Sequence, residues 1–405
     1  MYRPRVLAFI LAGGKGERLY PLTRERGKPA VPFAGKYRII DFVLSNFVNS
    51  GIYALYVLVQ YKAQSLIEHL RNAWRLGGLP DHFIIVVPPQ MRWGETWYQG
   101  TADAVYQNLN LLLDFSPDIV AIFGADHVYR MDIGQMLTYH LDRRAAITVA
   151  ALPVPLEQGP VFGIMDANED GRIGHFEEKP ARPAPMVDDP TTALASMGNY
   201  LFNREVLVDA LVEDARRSTD HDFGRTIIPE LAPHAQVYAY NFLTNEIPGR
   251  QPYEEPGYWR DVGTIAAYWH AHMDLLGDTP RLDLDNPRWP ILTAPYRGPS
   301  ARVIDGELTD CLLGEGSVIE GATVRRSIIG RGVRVGPGAV VDESVLMDHT
   351  AVGEGAQLHR VIADRYNEIP DGIRLGTGPH DDRHRYYVDP SGVIVLPRGP
   401  THARD

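Results

Sequence analysis

The sequence predicts an α/β protein in two parts, a Rossmann-like, mostly parallel sheet followed by a left-handed parallel β-helix. Three observations predict it. Over the first 280 residues, short runs rich in Val and Ile alternate with helix-like stretches, the pattern of a parallel sheet covered by helices. Prolines 280, 287, 290, 295 and 299 then crowd the segment Asp278–Pro299, as a connector would. From about Val303, small apolar residues recur every six positions with glycines between them, the signature of stacked coils that bury a continuous core. The expected divisions are 1–280, a linker at 281–302, and 303–405. At 405 residues the chain exceeds one ordinary domain of about 150.

The strand candidates are Val6–Leu11, Leu55–Val59, Phe83–Val87, Ile119–Phe123, Ile147–Leu152 and Val237–Phe242. Several are apolar without alternation, as strands covered on both faces are. Thr101 opens a helix-like stretch with apolar residues at 102, 105, 109, 112 and 113, and its hydroxyl suits an N-cap. Arg204–Arg217 and Ile265–Leu276 read as helices too. In the last part, Ile329, Val335, Val341 and Met347 form one hexad column, and Val333, Ala339, Val345 and Ala351 a second. One five-residue slip is expected before Ile329 and another after Met347. Val393–Leu396 is expected as a final strand beyond the solenoid.

The formal net charge is −11. Such a surface repels phosphate backbones, so nucleic acid is excluded as a partner and the charge that binds any anionic substrate must be local. Cys311 is the single cysteine, which excludes an internal disulfide and a Cys-rich metal site and fits a reducing compartment. The apolar opening run Val6–Ala12 is far too short to span a bilayer, and no cleavage-site pattern follows it. The expectation is a cytoplasmic protein without membrane contact.

Leu11-Ala-Gly-Gly-Lys-Gly-Glu-Arg follows the first strand directly. Gly13, Gly14 and Gly16 let backbone amides approach a phosphate, and Lys15 and Arg18 add charge. A dinucleotide fingerprint needs a glycine where Leu19 stands, and a Walker loop needs Ser or Thr after Gly-Lys, where here Lys15 precedes Gly16. Lys28, before Pro29, is expected in a non-helical loop from which it reaches the same phosphates. Asp126 follows a strand, at the carboxyl edge where open α/β sheets bind ligands.

Leu11–Thr23 together with Lys28-Pro-Ala-Val resembles the signature of sugar-phosphate nucleotidyltransferases. The run Lys28–Gly51 is similar to bacterial glucose-1-phosphate adenylyltransferases in particular, as are Trp97-Tyr-Gln-Gly-Thr-Ala-Asp-Ala-Val, Gly124-Ala-Asp-His-Val-Tyr, Phe176-Glu-Glu-Lys-Pro, Ser196-Met-Gly-Asn-Tyr-Leu-Phe, His221-Asp-Phe-Gly and Tyr258-Trp-Arg-Asp-Val-Gly-Thr. The resemblance spans nearly the whole chain. Gly27 and Ala125 depart from the common pattern, both by small residues.

The resemblance implies a catalytic first domain that joins ATP to α-D-glucose 1-phosphate, giving ADP-glucose and pyrophosphate for glycogen synthesis. The attacking phosphate oxygen is already anionic, so alignment and positive charge suffice and no protein nucleophile is required. The implied catalytic residues are Arg18, Lys28 and Asp126, with Mg²⁺ on Asp126 and Asp261. Magnesium prefers carboxylates and phosphate oxygens. Gly13, Gly14, Gly16, Gln60, Gly100 and Thr101 are implied at the nucleotide. Tyr98, Gly163, Glu178, Lys179 and Ser196 are implied at the sugar phosphate. His127 is expected in a supporting role. Gln60 and Trp97 are implied in regulatory communication, although Trp97 taken alone reads as core packing. The resemblance further implies a homotetramer and a regulatory solenoid. A glycolytic-intermediate activator would bind between the domains at Lys36, with Arg383 and Arg385 as weaker candidates. Rival readings are the same chemistry with UTP or dTTP, an acyltransferase housed in the solenoid, and a catalytically silent regulatory subunit. About four coils without a histidine tract disfavour the acyltransferase, and retention of the five charged residues Arg18, Lys28, Asp126, Lys179 and Asp261 disfavours the silent subunit.

Overall fold

The computed structural model describes residues 4–77, 79, 81–91, 96–377 and 385–400. Its first part is built on a nine-stranded sheet. Val6–Ala12 runs parallel to both neighbours, Ala54–Val59 and Ile119–Gly124, and Phe83–Val87 extends the parallel run. The central strand is apolar throughout because both its faces are covered: Leu7 and Phe9 enter one core cluster, Ala8 and Ile10 another. Next to Ile119–Gly124 the long strand Thr192–Asn203 enters antiparallel. It carries Gly163–Ala167 and then Ile173–Glu178, and also Ile147–Pro155, which pairs in parallel with Val237–Asn241. Sequence patterning missed Gly163–Ala167, Ile173–Glu178 and Thr192–Asn203. In the last of these, Gly198 at φ 71° interrupts the apolar run with a register shift.

The stretch opened by Thr101 is two helices, Thr101–Tyr106 and Leu109–Phe115. Between them the buried Asn108 donates to the Ala104 carbonyl and to the Tyr98 hydroxyl. Thr101 is not the N-cap; Gly100 is. The connector has neither helix nor strand, yet it is firmly packed, with Leu282, Trp289 and Ile291 buried and the Pro290 carbonyl accepting from Asn49.

The solenoid has three parallel sheets. Each coil takes sixteen or seventeen residues: Val318 stands opposite Arg334, and Arg334 opposite Ala351. Two interior columns run through it. One reads Ile329, Val335, Val341, Leu346, Val352, Leu358, Ala363, Ile369, Leu375, in steps of six, six and five. The small residues Ser327, Val333, Ala339, Ser344, Thr350 and Ala356 fill the other, all buried. The five-residue step therefore falls immediately after Val341, earlier than the sequence suggested. Val345 and Met347 leave the interior and pack instead against the first domain, and Ala351 is only half-buried. The strand Ile394–Leu396 does not lie beyond the solenoid. It pairs in parallel with Val361–Ala363 and completes the third face.

A single apolar cluster joins the two parts, with Phe33, Phe42, Tyr268 and Trp269 on one side and Ile328, Val345, Met347 and Ile362 on the other. Inside this junction Arg26 pairs with Asp364, and both side chains are almost fully buried.

Candidate active site

The carboxyl edge of the parallel strands forms the floor of a cavity of about 920 Å³. Val6–Ala12 delivers the glycine turn there, and Ile119–Gly124 delivers Asp126. Gly16 adopts φ 63°, a left-handed backbone that favours glycine, and a Cβ there would stand 3.0 Å from the Lys28 side chain. Lys28 heads a 3₁₀ turn, Lys28–Ala30, rather than an irregular loop, and it is buried rather than solvated.

Asp261 lies 135 positions after Asp126 (261 − 126). A short antiparallel ladder brings them together: Trp259–Asp261 pairs with His127–Tyr129, setting Asp261 opposite His127. The Lys28 Nζ then donates to both carboxylates, at 3.1 Å to Asp126 and 2.7 Å to Asp261. Arg18 Nη2 stands 3.5 Å from the other oxygen of Asp261. Burial works against the Lys28 charge, but the two carboxylates outweigh it and raise its pKa. Burial likewise opposes the charge on Asp126 and Asp261. Lys28, aided by the field at His127, overcomes it, and both carboxyls are held below their ordinary range. His127 is shifted down by burial.

One ligand atom from each of Asp126, His127 and Asp261 can be chosen so that all three lie within 4.8 Å of one another. Two ionised oxygens that already share an ammonium form a donor set that fits a hard divalent cation. These two aspartates would hold it.

Gly13, Gly14, Gly16, Gln60, Gly100 and Thr101, expected at the nucleotide, all line the cavity. Gln60 clasps the Tyr98 backbone through two hydrogen bonds, one in each direction. The Thr101 hydroxyl is already engaged: it donates to Asp222 and accepts from the Phe223 amide. The same cavity is lined by Tyr98, Gly163, Glu178, Lys179 and Ser196, expected at the sugar phosphate. Lys179 Nζ lies 3.3 Å from Glu178 and remains more than half exposed. Ser196 is buried and accepts from the Gly198 amide. A Cβ on Gly163 would stand 2.7 Å from a Glu178 oxygen, so glycine there leaves room for the carboxylate.

Trp97 is exposed, not core packing, and is absent from the cavity wall. Lys36 is also absent from the cavity wall. It follows Gly35, whose Cβ would stand 3.1 Å from the Ile329 carbonyl of the solenoid. Arg385 is exposed in a turn, and Arg383 lies outside the described residues. Sequence reasoning gave no binding role to Tyr200, Asp222, Phe223 or Trp259, yet all four line the cavity. The signal was present, because all four stand in the quoted motifs Ser196-Met-Gly-Asn-Tyr-Leu-Phe, His221-Asp-Phe-Gly and Tyr258-Trp-Arg-Asp-Val-Gly-Thr.

Residues 7–277 match the family described as nucleotidyl transferase, and residues 299–396 match the GlmU-like C-terminal hexapeptide family. A glucose-1-phosphate adenylyltransferase of Thermodesulfovibrio yellowstonii is 51% identical, over 98% of this chain and 96% of that one. Proteins of the same name from Anaeromyxobacter sp. and Cutibacterium acnes are 47% and 46% identical, over 97% and 98% of this chain and 98% of each relative. With matches of this length and a cavity assembled from the same motifs, the chain belongs to the nucleotidyl transferase family and, within it, to the glucose-1-phosphate adenylyltransferases.

Proposed function

We propose that this enzyme transfers the adenylyl group of ATP to α-D-glucose 1-phosphate, releasing pyrophosphate and ADP-glucose, the sugar donor for α-glucan synthesis. The observation that carries the proposal is the convergence of Lys28, Arg18 and the glycine turn with Asp126 and Asp261 in one cavity that Lys179 and Glu178 also line. The sugar phosphate oxygen attacks the α-phosphorus of ATP, and the bond to the bridging oxygen of the departing pyrophosphate breaks. No proton has to move. The glycine turn seats the triphosphate, Arg18 and Lys28 offset charge on the leaving group, and Lys179 holds the sugar phosphate in line. Glu178 and Ser196 meet sugar hydroxyls. Magnesium is the metal we assign to Asp126 and Asp261; when bound, it neutralises phosphate oxygens and orients the triphosphate.

We further assign a homotetramer, a cytoplasmic setting, and activation by a glycolytic intermediate at the domain junction beside Lys36. The position of Gly35, next to Lys36, against a solenoid coil supports that placement. Gln60, bonded to the residue after Trp97, supports a communication route from that loop into the cavity. No described helix is long and apolar enough to cross a membrane.

A pyrophosphate-release assay crossing four nucleoside triphosphates with several sugar 1-phosphates tests the reading. ATP with glucose 1-phosphate is expected to be the best pair by a wide margin. A preference for UTP or dTTP overturns it.

A further inference from the structure

Asp261 reaches Asp126 through very little structure. Among the described residues, the ladder that carries it, Trp259–Asp261 against His127–Tyr129, is a sheet of two strands only. An isolated pair of strands is marginally stable at best in water, so this one must be held from outside. Two asparagines and a tyrosine, Asn46, Asn199 and Tyr129, hold it. All three are fully buried, and none of them lines the cavity.

Asn46, on the helix Ile39–Asn49, stands where a third strand would. Its carboxamide oxygen accepts from the Met131 amide at 3.0 Å, and its nitrogen donates to the Tyr129 carbonyl at 3.2 Å. That position asks one side chain for an acceptor and a donor together, which a carboxamide supplies and neither a carboxylate nor an aliphatic group can. Asn199 works on the other side. Its oxygen accepts from the Gly124 amide at 3.3 Å, which turns its nitrogen to the Tyr129 hydroxyl at 3.0 Å. Gly124 and Tyr129 flank Asp126 and His127 in sequence, so Asn199 spans the whole segment that presents the Asp126 carboxylate. Breaking any of these bonds leaves a polar group unpaired in the interior, which fixes the arrangement firmly.

We propose that Asn46, Tyr129 and Asn199 are positioning residues that set Asp126 against Asp261 at the separation a divalent cation needs. The inference rests on the reading that these two aspartates hold the cation. Asn199 and the Tyr129 hydroxyl tie the Asp126 segment to the long strand Thr192–Asn203 of the main sheet, and Asn46 ties the ladder to the helix. Backbone pairing carries the constraint from Tyr129 across to Trp259 and along to Asp261. Without these ties the ladder shifts on the sheet edge, and the two carboxylates no longer meet one ion at once.

The test is Mn²⁺ titration of the full chain by electron paramagnetic resonance in the presence of α,β-methylene-ATP, with protein-free samples as the baseline, alongside thermal melts and turnover as a function of Mn²⁺. Asn46→Leu and Asn199→Leu are expected to weaken Mn²⁺ about tenfold, the scale on which residues that orient metal ligands act. Tyr129→Phe should match Asn199→Leu, and the double variant should be no weaker than either, because both break one link. Excess Mn²⁺ should restore most of the turnover. A purely structural role would lower the melting temperature and leave Mn²⁺ affinity at its wild-type value, and that outcome overturns the proposal. So do additive losses in the double variant, and so does a turnover that excess metal fails to restore. If Asn46→Leu or Asn199→Leu does not fold, Tyr129→Phe, which removes one hydroxyl and keeps the ring, decides alone. Mn²⁺ binding that survives Asp126→Asn unaltered sinks the metal reading itself. Binding that needs Asp126 but ignores the positioning variants sinks only this inference.

Discussion

Arg26 and Lys28 stand two positions apart, and both are buried cations paired with aspartate. Their surroundings differ in one respect. Asp364, the partner of Arg26, is 1% exposed, whereas the carboxylates on Lys28 keep 42% and 30% of their side-chain surface, at Asp126 and Asp261 respectively. The first pair is sealed inside the domain junction. The second opens onto the cavity. A sealed pair serves architecture, because neither ion can be given up without stranding the other in low dielectric. An open pair can exchange its lysine for another cation as a substrate arrives. Access, not pairing, is what separates chemistry from scaffolding along these three residues.

Four measurements break or sharpen that contrast. Asp126→Asn should lower turnover at least a hundred- to a thousandfold, the scale on which a positioned charge-stabilising group contributes, with the thermal melt little changed. Near-normal pyrophosphate release from that variant would place the chemistry elsewhere. Arg26→Met should show the reverse profile, losing about 3–5 kcal/mol of stability in denaturant melts because Asp364 stays buried without its paired cation. Adding Asp364→Leu should recover most of the loss, and a single variant as stable as wild type would refute the sealed-pair account.

The third measurement concerns His272, which packs against Phe33 within the junction and accepts from the Ala34 amide. Burial pushes its pKa down to about 4. The unfolded chain takes up a proton near pH 6.5 while the native one does not. This contribution is therefore intact above about pH 6.5 and lost as pH falls toward 4, by roughly 3 kcal/mol in all. His272→Gln should flatten that part of the stability curve, and an unchanged slope would contradict the assignment. Last and smallest, Arg398→Ala removes an ion pair with the half-exposed Glu25 and should cost about 1 kcal/mol or less. A larger loss would mean that the rim of the junction is sealed too.

Much of the site was legible because its signals are local. A strand followed by glycines, and a strand followed by aspartate, point to one sheet edge without further information. Asp261 was legible only by resemblance, since the ladder that sets it opposite His127 joins distant segments. Thr101 misled because a hydroxyl before an apolar helix matches the capping rule, while the cap comes from the His221 carbonyl more than a hundred positions away. The hexad period was read correctly, and its phase held as far as Val341 but not beyond it. Val345 and Met347 are apolar for a second reason, their burial against the first domain, and this disguised the five-residue step after Val341.

The strand Ile394–Leu396 carries a consequence for synthesis. Its partner Val361–Ala363 leaves the ribosome well before it, so the last face of the solenoid stays incomplete until the later strand has emerged and swung back. Throughout that interval the nascent chain presents a half-built apolar interior to its neighbours, and chaperone dependence is expected to concentrate there.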